Sequence, residues 1–114
     1  MTETNNPPHL TIRTILIDQD PYALETLRTS LGGLEQITIL SETDSLVYGY
    51  ELIRQNSPDL VFVYISHSFE KGLEVVQRIA TFFKRTFIVV SSQDLTKDQL
   101  LQCMRAGARE FLPR

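Results

Sequence analysis

Polar side chains that could do chemistry follow several short apolar runs in this sequence. They are Asp18-Gln19-Asp20, Tyr64, Ser91-Ser92 and Arg114. Paired carboxylates such as Asp18 and Asp20 can hold a divalent cation, or serve as a nucleophile and a general acid. Whether these side chains can act together depends on the elements that position them.

The apolar runs predict strands, and the segments between them predict helices. The five predicted strands are residues 12–17, 37–40, 59–64, 87–90 and 109–112. Four intervening segments have apolar residues at helical spacing. Asp20-Pro21 marks the start of the first helix, Asp44 or Ser45 caps the second, and Thr96-x-x-Gln99 is a capping-box pattern for the fourth.

The predicted order is therefore βαβαβαβαβ. Alternation of this kind favours an open parallel sheet with helices on both faces, the α/β class. In such sheets, ligands bind beyond the carboxyl ends of the strands. The polar residues that follow the runs are expected at that edge, which makes them the candidates for a functional site.

Composition limits the chain to one small domain and argues against a nucleic-acid partner. It has 114 residues, 42% of them hydrophobic, and 11 basic against 14 acidic residues give a net charge of −3. One domain over 10–114, preceded by a disordered tail over 1–9, is expected. Basic residues are not clustered, so no nucleic-acid binding is expected.

The lone Cys103 and the lack of a long apolar stretch bear on location. One cysteine cannot form an intrachain disulfide, which fits a reducing compartment. The longest apolar stretch is too short to cross a bilayer. We expect a cytoplasmic protein that does not insert into membranes.

Four segments together carry a family resemblance. They are ILIDQDP (15–21), SPDLVFV (57–63), GLEV (72–75) and AGAREFLPR (106–114). In this order and spacing they resemble the receiver domain of bacterial two-component response regulators. The resemblance implies a flavodoxin-like, CheY-like three-layer sandwich with a parallel sheet in the order 2-1-3-4-5. The fifth helix of a full receiver is absent from this chain.

The resemblance also implies a phosphorylation pocket. In that family an Asp at the end of the third strand accepts a phosphoryl group, and an acidic pair after the first strand helps to hold Mg²⁺. A hydroxyl, a switching aromatic residue and a Lys complete the pocket. The corresponding positions here, in that order, are Tyr64, the pair Asp18 and Gln19, Ser91, Phe111 and Arg114.

Two of the three carboxylates are thus missing from the pocket. Mg²⁺ requires near-octahedral oxygen ligation, so Asp18 beside the neutral Gln19 should hold it poorly, although Asp18 stays the residual candidate ligand. A phenol with a pKa of about 10 is protonated at neutral pH. We predict no bound cofactor, no catalytic residue and no phosphorylation. Tyr64 either lies at the strand end with its hydroxyl in water or plugs the emptied pocket.

A receiver without its acceptor is predicted to act as a pseudo-receiver, a phosphorylation-independent interaction or localisation module. The missing Asp and the segment 106–114 look most like the N-terminal domain of CpaE/TadZ-type proteins. Those are MinD/ParA-like ATPases that localise pilus-assembly machinery. The resemblance implies that such an ATPase would be carried by residues outside this chain.

Two other functions stay open. One is a phosphorylatable two-component receiver with a non-standard acceptor at Ser66, His67 or Ser68. The other starts from Asp18-x-Asp20, which also resembles the haloacid-dehalogenase phosphatases. That family needs later acids for Mg²⁺, and Asp94 and Asp98 are the only ones near a strand end.

Without a fifth helix, one face of the sheet should lie partly uncovered. The residues concerned are Val89 or Val90 and Phe111 or Leu112, depending on register. Exposed apolar surface of this kind is normally buried by a partner. We therefore predict protein partners, either a homodimer or contact with a following domain.

Overall fold

Five strands alternate with four helices in the computed structural model, which describes residues 11–65 and 68–113. The elements are β1 (Ile12–Ile17), α1 (Pro21–Gly32), β2 (Ile37–Thr43), α2 (Leu46–Asn56), β3 (Leu60–Tyr64), α3 (Phe69–Phe82), β4 (Phe87–Ser92), α4 (Lys97–Ala106) and β5 (Glu110–Pro113). The predicted tail 1–9, Ser66, His67 and Arg114 lie outside the described residues.

All pairings in the sheet are parallel, and its order is β2-β1-β3-β4-β5. Both the predicted α/β class and the predicted order 2-1-3-4-5 are confirmed. Because every strand runs the same way, all five carboxyl ends meet at one edge of the sheet. That edge is where the candidate site residues were expected.

Side-chain caps set the helix starts that the sequence predicts. Asp20 accepts hydrogen bonds from the backbone N–H groups of Tyr22 and Ala23, and Pro21 begins α1. Ser45, rather than Asp44, caps α2. The capping box between Thr96 and Gln99 forms at α4. Each cap satisfies orphan N–H groups and contributes about 1 kcal/mol.

Helices α2, α3 and α4 cover one face of the sheet, which we call the three-helix face. Its core consists of alternate strand residues and the inward residues of these helices: Ile15, Ile17, Val61, Val63, Ile88, Val90, Leu52, Ile53, Val76, Ile79 and Cys103. Burial raises the pKa of the Cys103 thiol. The centre of this face is closed to solvent, and its outer residues Leu40 and Phe111 are partly buried.

The opposite face, which we call the single-helix face, is covered by α1. On it Leu16 is 0% exposed, Phe62 is half-buried, Val89 is 8% exposed and Leu112 is 44% exposed. The prediction of an uncovered residue is therefore confirmed for Leu112 and wrong for Val89. Val89 is buried because β4 has strands on both sides, whereas β5 is an edge strand. Val90 and Phe111 lie on the three-helix face.

Strand ends differ from the predicted ones mainly at β2. The prediction ends β2 at residue 40, but it continues through Ser41, Glu42 and Thr43. These polar residues fit because β2 is an edge strand, and Glu42 forms an ion pair with Arg28 of α1 at 2.9 Å. Strand β5 is shifted one residue later than predicted.

Arg13 of β1 ties the first strand to the end of α2. Its guanidinium donates to the carbonyls of Ser57 at 2.9 Å and Asn56 at 2.8 Å. Its backbone N–H donates to Asp59 Oδ2 at 2.9 Å. Carbonyls in the last turn of a helix have no partner within the helix. Arg13 supplies a hydrogen-bond donor to these carbonyls from a distant part of the chain.

Candidate functional site

Three of the predicted site residues meet at the carboxyl edge of neighbouring strands. Tyr64 of β3 is paired in register with Ser91 of β4, and Ile17 with Val63. Extending the second register by one residue places Asp18 beside Tyr64. Adjacent strands lie about 4.8 Å apart. Asp18, Tyr64 and Ser91 therefore form one row across β1, β3 and β4, on the side of the sheet that faces α1.

Asp18 is a buried carboxylate that takes part in the local backbone structure. It is 1% exposed, and its Oδ1 accepts a hydrogen bond from the N–H of Asp20 at 2.9 Å. Its own N–H donates to the carbonyl of Thr43 at 2.9 Å. A buried charge is costly unless it is hydrogen-bonded, and these contacts hold Asp18 in place. Asp20, in turn, is the α1 cap.

Tyr64 fills the position that the resemblance assigns to the phosphoryl acceptor. The residue is only 8% exposed, and its partner in register, Ser91, is 3% exposed. A phenol oxygen stands several ångströms farther from the backbone than an Asp carboxylate would. The Tyr64 side chain is therefore largely buried, and the plugging of the pocket by its hydroxyl end stays a prediction.

The remaining predicted site residues lie apart from this row. Phe111 pairs in register with Val90 and packs against the core of the three-helix face. Gln19 is half-buried in the connection after β1. Arg114 lies outside the described residues, so its place in the pocket stays a prediction. The structure brings together Asp18, Tyr64 and Ser91, and it places Phe111 on the other face.

Ser92, which follows Ser91 at the end of β4 and has no position in the predicted pocket, connects the ends of two strands. Its hydroxyl donates to the carbonyl of Ile65 at 2.8 Å and accepts from the N–H of Asp94 at 3.4 Å. The N–H of Ile65 donates to the carbonyl of Ser91 at 2.9 Å. Together these bonds fix the residue after β3 to the end of β4. The sequence shows only a serine at the end of an apolar run and gives no signal for these long-range bonds.

Gly72 allows α3 to approach this fixed segment closely. A Cβ on Gly72 would lie 2.7 Å from Ile65 Cγ1, so any larger residue would push the two apart. Ile65 itself is buried. The end of β3 is thus held by β4 on one side and by α3 on the other.

The alternative chemistries find little support in the described residues. The Ser68 hydroxyl accepts the N–H of Lys71 as the cap of α3, and Ser66 and His67 lie outside the description. Asp98 lies in the first turn of α4. Within residues 11–65 and 68–113, no three His, Cys, Asp or Glu side chains are grouped as metal ligands. Weak Mg²⁺ binding by Asp18 stays a prediction.

Comparison with known proteins decides the family. A profile of the response regulator receiver domain matches residues 14–114. The chain belongs to this family. Receiver domains are signalling modules that contact other proteins and domains, so the predicted role in two-component signal transduction is confirmed at the level of the family.

Curated relatives of this receiver include longer regulators. The sensory transduction protein LytT of Enterococcus faecalis is 24% identical over 99 residues, which cover 86% of this chain and 40% of LytT. The transcriptional regulatory protein BtsR of Salmonella typhi is 32% identical over 65 residues, 57% of this chain and 27% of BtsR. The chain spans less than half the length of these relatives.

Solved structures show the same fold. The signal receiver domain of NarL from Mycobacterium tuberculosis superimposes with a TM-score of 0.82 at 20% identity, over 90% of this chain and 83% of that one. A response regulator from Thermotoga maritima gives 0.80 at 22% identity, over 92% and 86%. The predicted CheY-like fold is confirmed. None of the helices in the described part is long and apolar enough to cross a membrane.

Proposed function

We propose that this receiver works without phosphorylation, as a pseudo-receiver whose fixed surface binds protein partners. The observation that carries the proposal is the buried Tyr64 in the row with Asp18 and Ser91. Phosphoryl transfer needs an ionised acceptor and positive charge to balance the transferred group. A phenol fills the acceptor position here, and one carboxylate stands where the family uses an acidic pair.

The bonds around Ile65 support a single conformation of the site. Ser92 joins the ends of β3 and β4 through its hydroxyl, and Ile65 packs tightly against Gly72. We therefore expect the module to present one surface whether or not a phosphoryl donor is present.

For the whole protein, we propose the role that the segment 106–114 suggests. This receiver would be the localisation domain of a CpaE/TadZ-type protein and would direct an attached MinD/ParA-like ATPase in pilus assembly. The short tail motif and the absent acceptor Asp support this proposal. The ATPase chemistry would belong to residues outside the chain.

The decisive experiment uses NMR of isotope-labelled protein together with intact mass. The protein is titrated with Mg²⁺ and then with beryllofluoride, a phosphoryl mimic, and its mass is measured after incubation with acetyl phosphate. We expect no added phosphoryl mass and no shifts at Asp18, Tyr64 or Ser91. An adduct on the unmodified protein would instead establish a receiver with a non-standard acceptor.

A rebuilt pocket provides the matched control. The double variant Gln19→Asp, Tyr64→Asp restores the carboxylates that the family pattern requires. We expect it to bind Mg²⁺ and beryllofluoride at the carboxyl edge and to gain one phosphoryl group. If the double variant folds and responds while the parent chain stays silent, the two substitutions account for the lost chemistry.

A further inference from the structure

A groove of about 660 Å³ runs between α2 and α3 on the outside of the three-helix face. Its apolar lining consists of Leu46, Val47, Tyr50, Val75 and Phe82. Val47 is 81% exposed and Phe82 is 67% exposed. Large apolar side chains that are so exposed along one groove indicate a surface that a partner covers.

The walls of the groove are arranged before any partner binds. The Arg78 guanidinium lies 4.6 Å from the centre of the Tyr50 ring, and this contact joins α3 to α2. On α2, Arg54 donates from Nε and Nη2 to the Glu51 carboxylate at 2.7–3.0 Å. Because of this hydrogen bond the pKa of Glu51 is lowered. A surface that is already ordered loses less entropy on binding.

The charged residues around the groove indicate the sign of the charge that a partner should carry. Arg54 and Glu51 neutralise each other, which leaves Lys71, Glu74 and Arg78 on α3. The ion pairs between described residues do not include these three. The rim therefore has one surplus positive charge in a chain whose net charge is −3. An acidic partner matches this groove better than a basic one.

The shape of the groove indicates a helix. Helices α2 and α3 each follow a strand of the same parallel sheet, so they run in the same direction. The lining residues of α3 extend from Lys71 to Phe82, which is about 16 Å of helix, or three turns. A docked helix fits such a groove with apolar residues spaced at i, i+3 or i+4, and i+7.

We propose that the α2–α3 groove binds an acidic amphipathic helix of about three turns from a partner protein. The inference rests on the proposed function in that it names a partner for the interaction module. The apolar stripe of the docked helix covers Val47 and Phe82, and its carboxylates face Lys71 and Arg78. The groove does not include any residue of the row formed by Asp18, Tyr64 and Ser91.

Two synthetic peptides test the proposal by NMR titration of the full chain. Both carry Leu at helical spacing over about four turns, and the other positions are Glu in one peptide and Lys in its control. The acidic peptide should shift the amide signals of Val47, Tyr50, Val75, Arg78 and Phe82. Because exposed ion pairs contribute little each, we expect it to bind roughly fivefold more tightly than the basic peptide.

Three variants locate the binding. Phe82→Ser removes an exposed apolar contact and should weaken the acidic peptide about tenfold with little change in thermal stability. Tyr22→Ser, at an aromatic residue of α1 that is 83% exposed, is the matched control and should bind like the parent chain. Arg78→Glu turns the surplus of one positive charge on the rim into one negative charge, so it should reverse the preference in favour of the basic peptide.

Three outcomes would overturn the inference. They are equal or tighter binding of the basic peptide, no shifts in the groove at millimolar peptide, and shifts there that depend on protein concentration alone. The last would show a second copy of the chain in the groove. None of these outcomes changes the acetyl phosphate result, so failure of the groove and failure of the proposed function are distinguishable.

Discussion

Among the residues that the structure describes, three helices cover one face of the sheet, whereas α1 alone lies over the other. On the three-helix face the core residues from Ile15 to Val90 are buried. On the single-helix face, Leu16 is fully buried, Phe62 is half-buried and Leu112 is 44% exposed. The first face contains the main buried core, and the second carries the row of candidate site residues at its carboxyl edge. The difference suggests that contacts with other protein segments can form on the second face without disturbing the core.

Substitution of a core isoleucine should separate the two faces most clearly. Ile79 of α3 is fully buried, so Ile79→Ala should lower the free energy of unfolding by about 2–5 kcal/mol. Leu27→Ala on α1, where the side chain is half-buried, should cost about 1 kcal/mol. Urea denaturation of both variants measures the difference. Equal losses would show that the single-helix face is as important for stability as the other.

Gly107 at the end of α4 tests how tightly the three-helix face is packed. Its φ is 129°, and a Cβ there would lie 2.3 Å from the Cβ of Ala80. Gly107→Ala should therefore cost about 2–4 kcal/mol through backbone strain and the clash. Gly33→Ala at the end of α1, where φ is −79° and the nearest atom is 3.7 Å away, should change stability by less than about 0.5 kcal/mol. If Gly107→Ala left the free energy of unfolding unchanged, α3 and α4 would be able to move apart and make room for the added methyl group.

Tyr64→Phe tests whether the Tyr64 side chain needs its hydroxyl to fill the emptied pocket. The predicted plug requires a hydrogen bond to this hydroxyl, and removing one partner of a buried hydrogen bond costs about 1 kcal/mol, so we expect a loss of that size in thermal or urea unfolding. Tyr48→Phe on α2, where the ring is 55% exposed, is the control and should be neutral. A Tyr64→Phe protein with unchanged stability and partner binding would argue against a locked pocket.

The smallest effect on stability is expected at the open end of the single-helix face. Leu112→Ser should change the free energy of unfolding by less than about 0.5 kcal/mol, because the side chain is already exposed. It should, however, reduce the self-association that we expect of the parent chain in sedimentation velocity. Leu101→Ser on α4, which is 42% exposed, should leave association unchanged. A parent chain that is monomeric at high concentration would contradict the predicted homodimer.

Elements whose signals are local could be predicted from the sequence. The Asp20 cap, Pro21 and the capping box of Thr96 and Gln99 depend on contacts within a few residues, and all of them form as predicted. The end of β2 could not be predicted in this way. Its last residues are polar, and Glu42 is accommodated by an ion pair with Arg28, which lies in another element.

The sequence predicts which residues lie at the candidate site, but it predicts fewer of the contacts that they make. Strand ends identify Asp18, Tyr64 and Ser91, because a parallel sheet brings such ends together. The bond from Ser92 to Ile65 depends on two connections that are 27 residues apart in the chain. No local pattern encodes it. Burial of Val89 likewise depends on its strand neighbours and not on its own segment.

The hydrogen bonds of Arg13 to the carbonyls of Asn56 and Ser57, which we call the Arg13 clamp, affect how the domain unfolds locally. The Arg13 clamp joins β1 to the end of α2 across 44 residues of sequence, so it can form only once the intervening chain has closed into a loop. Contacts of such range form late and slow the folding of a domain. Breaking the clamp exposes carbonyls of α2 and loosens the start of β1 at once. Amide hydrogens in these two segments should therefore exchange with solvent as one cooperative unit.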